Sequence, residues 1–285
     1  PPWKWLVDES TGVAAPVDAR FFEHIFERAQ AGLGLSTYLQ DFLAHTYENV
    51  GAMSRDLGAA KKWLEAMDEA AARRNITIQF CMALPRHILQ AVALPRVTHA
   101  RASHDYGQSR WGDTEQWSPL GLTSMLYWSL GIVPFKDNFW SEELNPGNRW
   151  SNATAAAREA DAELQAVVSA LSGGPVGPSD EIGRMNRTRI MRTCREDGRL
   201  LKPQTPAMQL DSTFATLSRS SAGRGSGKGV LGVQSVWGAT MVTGAVHETA
   251  QPPLHHALLF ANVTDEFRVT LAELHSIEEA QGRPK

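Results

Sequence analysis

Cysteine is scarce: Cys81 and Cys194 are the two in 285 residues, too few for a disulfide framework. They pair with each other or stand as buried thiols. An excess of one charge is also missing. Lys and Arg number 28 against 31 Asp and Glu, a formal net charge of −3, which argues against a nucleic-acid or anionic-membrane partner. No apolar run approaches the ~20 residues of a membrane helix, so no membrane span is expected. The Gly-rich stretch 218–229 contains GRGSGKG, but Lys228 is followed by Gly229 rather than Ser or Thr, which excludes a phosphate-binding loop. No repeat is found, and no cofactor or metal is expected. The chain opens Pro1-Pro2-Trp3, without Met or a signal peptide, as a processed product or a piece of something longer would.

The length suffices for one large domain or two small ones with a sizeable core. Four of the eight Asn begin an Asn-x-Ser/Thr sequon: Asn75, Asn152, Asn186 and Asn262. Chance supplies roughly one, so these are candidate glycosylation sites of a secreted or secretory-lumen protein.

Apolar spacing predicts helices over 20–31, 54–74, 86–93, 119–131 and 152–171, the last with an N-cap at Ser151 or Asn152. Strand character falls in 35–43, 76–84 and 96–103, and again in IVPFKDNFW. Strands alternating with helices predict parallel βα units, as a barrel or a doubly wound sheet. From about residue 188 short β-prone pieces (GVLGVQSVWGA, HALLFANV, FRVTLAEL) are separated by Gly-, Ser- and Pro-rich stretches.

Parallel barrels place their chemistry at the carboxyl ends of the strands. Three acidic residues meet that condition: Asp41 in TYLQDF, Asp105 in RASHDY and Asp137 in PFKDNF. Tyr38, Phe42, Tyr106, Trp111, Trp117, Phe139 and Trp140 crowd the same segments. Rings stack on sugar faces while carboxylates protonate the leaving oxygen or attack the anomeric carbon. The plainer alternative for each Asp is a helix cap or turn.

RASHDY, followed by SMLYWSLGIVPFKDNFWS, resembles a segment of the raffinose-synthase and alkaline α-galactosidase group, in which Arg-Ala-Ser-Asp-Asp-Phe precedes Leu-Gly and Asp-Met-Phe. IQFCMALPRH is similar to that group's Ile-Ser-Cys-Met strand, and GGPVGPSDEIG to its Val-Ser-Asp-Lys-Pro-Gly turn. DGRLLKPQTPAMQLDSTF and GVLGVQSVWGA follow in the same order, over roughly 30–275. The resemblance implies a (β/α)8 barrel, with strands four to eight in residues 1–187, then a linker and the start of a C-terminal β-sandwich in 188–285. It implies a retaining glycosidase or transglycosidase acting on α-galactoside-like oligosaccharides. Asp41 is then the nucleophile and Asp105, in Arg-x-x-x-Asp, the acid/base, protonated at rest. Asp137, Trp140 and Asp180 line the sugar pocket, and Tyr38, Arg101 and Trp111 complete the substrate-binding set. Cys81 faces the sugar or belongs to the core.

The chain departs from that group in places. Leu39-Gln40-Asp41 stands where Lys-x-Asp is common, which removes a cation that would touch sugar hydroxyls and lower the carboxylate pKa. His104 replaces an acidic residue. Residues 1–20 cannot hold strands one to three, so a second polypeptide or precursor segment is expected to complete the barrel. The competing reading is a catalytically inactive, structural or carbohydrate-binding subunit of a larger assembly. The carboxylate pair is the feature that separates the two.

Overall fold

The computed structural model describes residues 3–107, 119–147, 158–213, 235–242, 254–261, 266–270 and 272–273. Chain contacts group the residues into two compact units, 1–101 with 130–132 and 102–129 with 133–285.

The first unit opens with an antiparallel hairpin, β1 (Trp5–Asp8) and β2 (Val13–Pro16), which the sequence pattern left unassigned. Asp8 Oδ2 accepts the Gly51 N–H at 2.7 Å, and a side chain at Gly51 would collide with that carboxylate. Helix α1 (Ala19–Leu33) starts on Asp18, whose carboxylate accepts the Arg20 N–H. Its apolar spacing buries Phe22 and Phe26. The helix runs through Gly32, expected as a stop, and ends where Gly34 turns left-handed at φ 67° and returns its N–H to Gln30.

Strand β3 (Thr37–Gln40) follows, then α2 (Leu43–Asn49), α3 (Gly51–Arg55), α4 (Leu57–Arg74), β4 (Thr77–Phe80), α5 (Pro85–Ala91) and β5 (Val97–Arg101). β3 pairs parallel with β4, and β4 with β5. Helix α4 packs on α1. Trp63, Leu64 and Met67 of α4 are buried, as are Ile78 and Phe80 of β4. Burial stabilises by about 2 kcal/mol for each large apolar side chain, so this layer carries the unit. Asn75, at φ 51°, ends α4 in the left-handed region and hands the chain directly to β4.

The second unit holds α6 (Leu120–Ser129), β6 (Val133–Phe135), α7 (Ala162–Leu171), α8 (Arg187–Met191), β7 (Thr205–Gln209), β8 (Ser235–Val242) and β9 (Leu254–Ala261). Trp128 of α6 packs with Met208 and Leu210, and Phe267 and Val269 close over them. β7, β8 and β9 form an antiparallel sheet in that order. The chain is thus mixed α/β, with a four-stranded parallel sheet in the order β3-β4-β5-β6.

Two expectations are corrected. The helix expected from 152 is helical only from Ala162 in its described part, because Glu159 is buried and its carboxylate accepts the Asp161 N–H. The β-prone FRVT has no strand: 266–270 is irregular and its valine serves the α6 cluster instead.

Candidate active site

Within the first unit, Asp41 is the first residue beyond β3 and Cys81 the first beyond β4, while Arg101 ends β5. All three therefore stand at the carboxyl ends of parallel strands. The backbone bends sharply just after two of them. Phe42 (φ 56°) and Met82 (φ 50°) are left-handed, and the only other described non-glycine residue with positive φ is the helix cap Asn75. A bulky residue in that region costs about 1 kcal/mol or more and persists where its surroundings enforce it. Here they do. The Phe42 N–H donates to Asp41 Oδ1 at 2.7 Å, Thr46 N–H returns to the Phe42 carbonyl, and Ala44 N–H donates to the Met82 carbonyl at 2.9 Å. The two turns are stitched together, and Asp41 is fixed in one orientation, half-buried.

The neighbours of Asp41 are equally committed. Tyr38 packs at a tilt against Phe26, with ring centroids 4.9 Å apart, and donates its hydroxyl to Gln40 Oε1 at 3.1 Å. Burial pushes the Tyr38 phenol up from its usual pKa. Gln40 turns its amide onto the Asp41 carbonyl at 2.7 Å. Leu39 is 44% exposed. Cys81 is buried, outside any disulfide. Beyond Met82, His87 is fully buried and its Nδ1 accepts the Leu84 N–H at 3.0 Å, so the α5 side chain caps its own helix start. Burial, with the Arg86 charge adding to it, brings the His87 pKa down to about 4.

In the second unit the candidates gather on three loops. Asp105 is exposed, next to Tyr106. Asp137 Oδ2 accepts the Tyr106 N–H at 2.7 Å, and the Asp137 N–H donates to Ser103 Oγ at 2.9 Å. These bonds bracket Asp105 from both sides. Asp180 is buried, and its carboxylate accepts from Ser141 N–H and Oγ–H, Glu142 N–H and Asn145 Nδ2 at 2.8–3.2 Å. It organises the 141–145 turn. Trp140 is 1% exposed and packs in the interior.

Two residues of this site escaped the sequence reading. Lys136 is 1% exposed, and Glu159, 3% exposed, accepts the Tyr106 hydroxyl at 2.6 Å. A charged residue closing an apolar strand run, VPFK, was the available signal for the first. Glu159 lay inside a predicted helix and gave none. Trp111, Asn152 and Asn262 lie outside the described residues. Asn75 is exposed, and Asn186 caps α8 by accepting the Arg189 N–H. Among the described residues no group of His, Cys, Asp and Glu is arranged to hold a metal ion.

Asp41 and Asp105 belong to different compact units; Asp41 accepts the N–H of Phe42, and Asp105 precedes Tyr106, whose N–H is bound by Asp137. Such carboxylates can attack, accept or donate a proton at a bound substrate. Compared with known proteins, the chain matches no protein-family model and no curated protein.

Proposed function

We propose that this chain carries the two carboxylates of a retaining glycosidase or transglycosidase for α-galactoside-like oligosaccharides, on the later strands of a (β/α) barrel. The observation that carries the reading is Asp41. It follows a parallel strand directly, and a left-handed Phe42 fixes the turn beyond it. In the proposed reaction the Asp41 carboxylate attacks the anomeric carbon while Asp105 gives its proton to the departing glycosidic oxygen. The leaving bond's electron pair goes to that oxygen. Asp105, now ionised, takes a proton from water or an acceptor hydroxyl, which displaces Asp41 and regenerates both groups. The mechanism requires carboxyl groups ~5–5.5 Å apart.

Two variants test it in the protein as isolated, with any companion polypeptide retained. Asp41→Asn keeps the shape and removes the nucleophile, so nearly all turnover is lost. Asp105→Asn loses less with activated aryl glycosides, whose leaving group needs no proton. Wild-type rates in both would overturn the assignment. Leu39 favours a second reading, a sugar-binding or structural subunit without turnover: an exposed apolar side chain stands where a lysine would meet sugar hydroxyls. Saturable binding of α-galactosides with no hydrolysis or transfer would establish it. Secretion, and a second polypeptide completing the barrel, belong to the same proposal.

A further inference from the structure

We infer that Lys136 is the positioning residue for the three loops that carry Asp105, Asp137 and Asp180. The assignment rests on the proposed function for its effect on turnover, and on geometry alone for its effect on loop order.

Lysine is almost never fully buried unless its charge is compensated. Lys136 is 1% exposed, and its amine meets two carbonyl oxygens and two ring faces. Nζ donates to the carbonyls of Asp137 and Asn138 at 3.1 and 2.9 Å. It lies 4.9 Å from the centre of the Tyr106 ring and 5.9 Å from that of Phe139. An ammonium, with three N–H donors and no acceptor, suits such a shell. The charged groups acting on it are Asp137 on its own segment and Glu159 from the loop beyond Tyr106. Their negative charges favour the protonated amine against burial, which brings its pKa down to about 7.

Its contacts reach the 103–107 segment directly and the 178–181 segment through Asn138 and Phe139. Tyr106 is gripped by its ring under Nζ, its N–H on Asp137 and its hydroxyl on Glu159, and it adjoins Asp105. The Asn138 carbonyl receives Lys136, while Asn138 Oδ1 accepts the Ser179 hydroxyl at 2.6 Å, and Ser179 adjoins Asp180. The Ser179 N–H also donates to the Phe139 carbonyl at 2.8 Å. One cation thus stands where the 103–107, 136–140 and 178–181 segments meet. A lysine that merely filled space would be replaceable by methionine.

Lys136→Met, made in the full chain with any companion polypeptide retained, removes the donors and the charge at similar volume. Hydrogen exchange at the amides of 104–107, 137–139 and 179–181 is expected to quicken tenfold or more at pH 6, with α4 unchanged. In lysine-labelled NMR spectra, one amine titrating near neutral pH should vanish in the variant. If Lys136→Met does not fold, Tyr106→Phe serves instead. It keeps the ring and loses the hydroxyl, so 105–107 and 159–161 should loosen while 137–139 stays protected. Wild-type exchange in the three loops of Lys136→Met, or unchanged protection in Tyr106→Phe, overturns the inference. Where the protein turns over glycosides, kcat should fall more than KM changes. Absence of turnover in the wild type, together with the expected loosening, removes the catalytic reading and leaves the role of Lys136 standing.

Discussion

His87 and Asp180 show how single side chains in this protein are spent on backbone rather than left for solvent. His87 Nδ1 must be unprotonated to accept the Leu84 N–H. Its pKa is about 4 in the fold against 6.5 in the unfolded chain. Between those values the unfolded chain binds a proton that the folded chain refuses, so stability present above pH 6.5 is lost as pH falls toward 4. The loss amounts to at most about 3 kcal/mol. Thermal unfolding of His87→Gln should therefore fall less steeply from pH 7 to pH 4.5 than that of the wild type. Equal slopes would dismiss the role. Asp180→Ala strips the acceptor from two backbone N–H groups and two side chains of the 141–145 turn. Denaturant unfolding should show a loss of about 3 kcal/mol; a change within a few tenths would refute the hub. At this scale the sequence was only half readable. Asp41 could be found because a strand end is a position, and positions follow from periodicity. Lys136 offered only its charge at the close of VPFK, and Glu159 offered nothing, because its meaning lies in Tyr106, which chain folding brings to it.

Elements with strong periodicity emerged where the pattern put them. Helix α4, β4 and β5 fall within the segments predicted for them, since their apolar positions face a single layer. The short α2 and α3 went unread, because their boundaries depend on the left-handed Phe42 and on the Asp8–Gly51 bond, which no local pattern encodes. The caps of α4 allow a direct check. Asp56→Ala removes the acceptor for the Gly58 N–H and should cost about 1 kcal/mol in chemical denaturation. Asn75 needs separate handling, as it is both a sequon and the left-handed cap, and its side chain accepts from Arg96. Asn75→Gln should destabilise by about 1 kcal/mol whether or not a glycan is attached. Thr77→Ala, which removes the sequon but leaves the cap, distinguishes the two effects, once allowance is made for the lost Thr37–Thr77 hydroxyl bond.

For the molecule as a whole, β3 lies at one end of the parallel sheet, with Leu39 and Phe42 exposed. An edge strand of this kind invites pairing with another chain. The isolated chain is expected to aggregate or to capture a second polypeptide, as light scattering after size exclusion would report. A monodisperse monomer that unfolds cooperatively contradicts the proposed completion of the barrel. The secretory reading is checked by intact mass: a shift on glycosidase treatment is expected, and its absence counts against that reading.

The buried Cys81 and the half-exposed Cys194 also give the protein an internal clock. An alkylating reagent reaches Cys194 at once, but Cys81 only when the end of β4 opens to water. The lag between the first and second adduct in a mass spectrum therefore times the breathing of the sheet that holds Asp41, with no probe added to the chain.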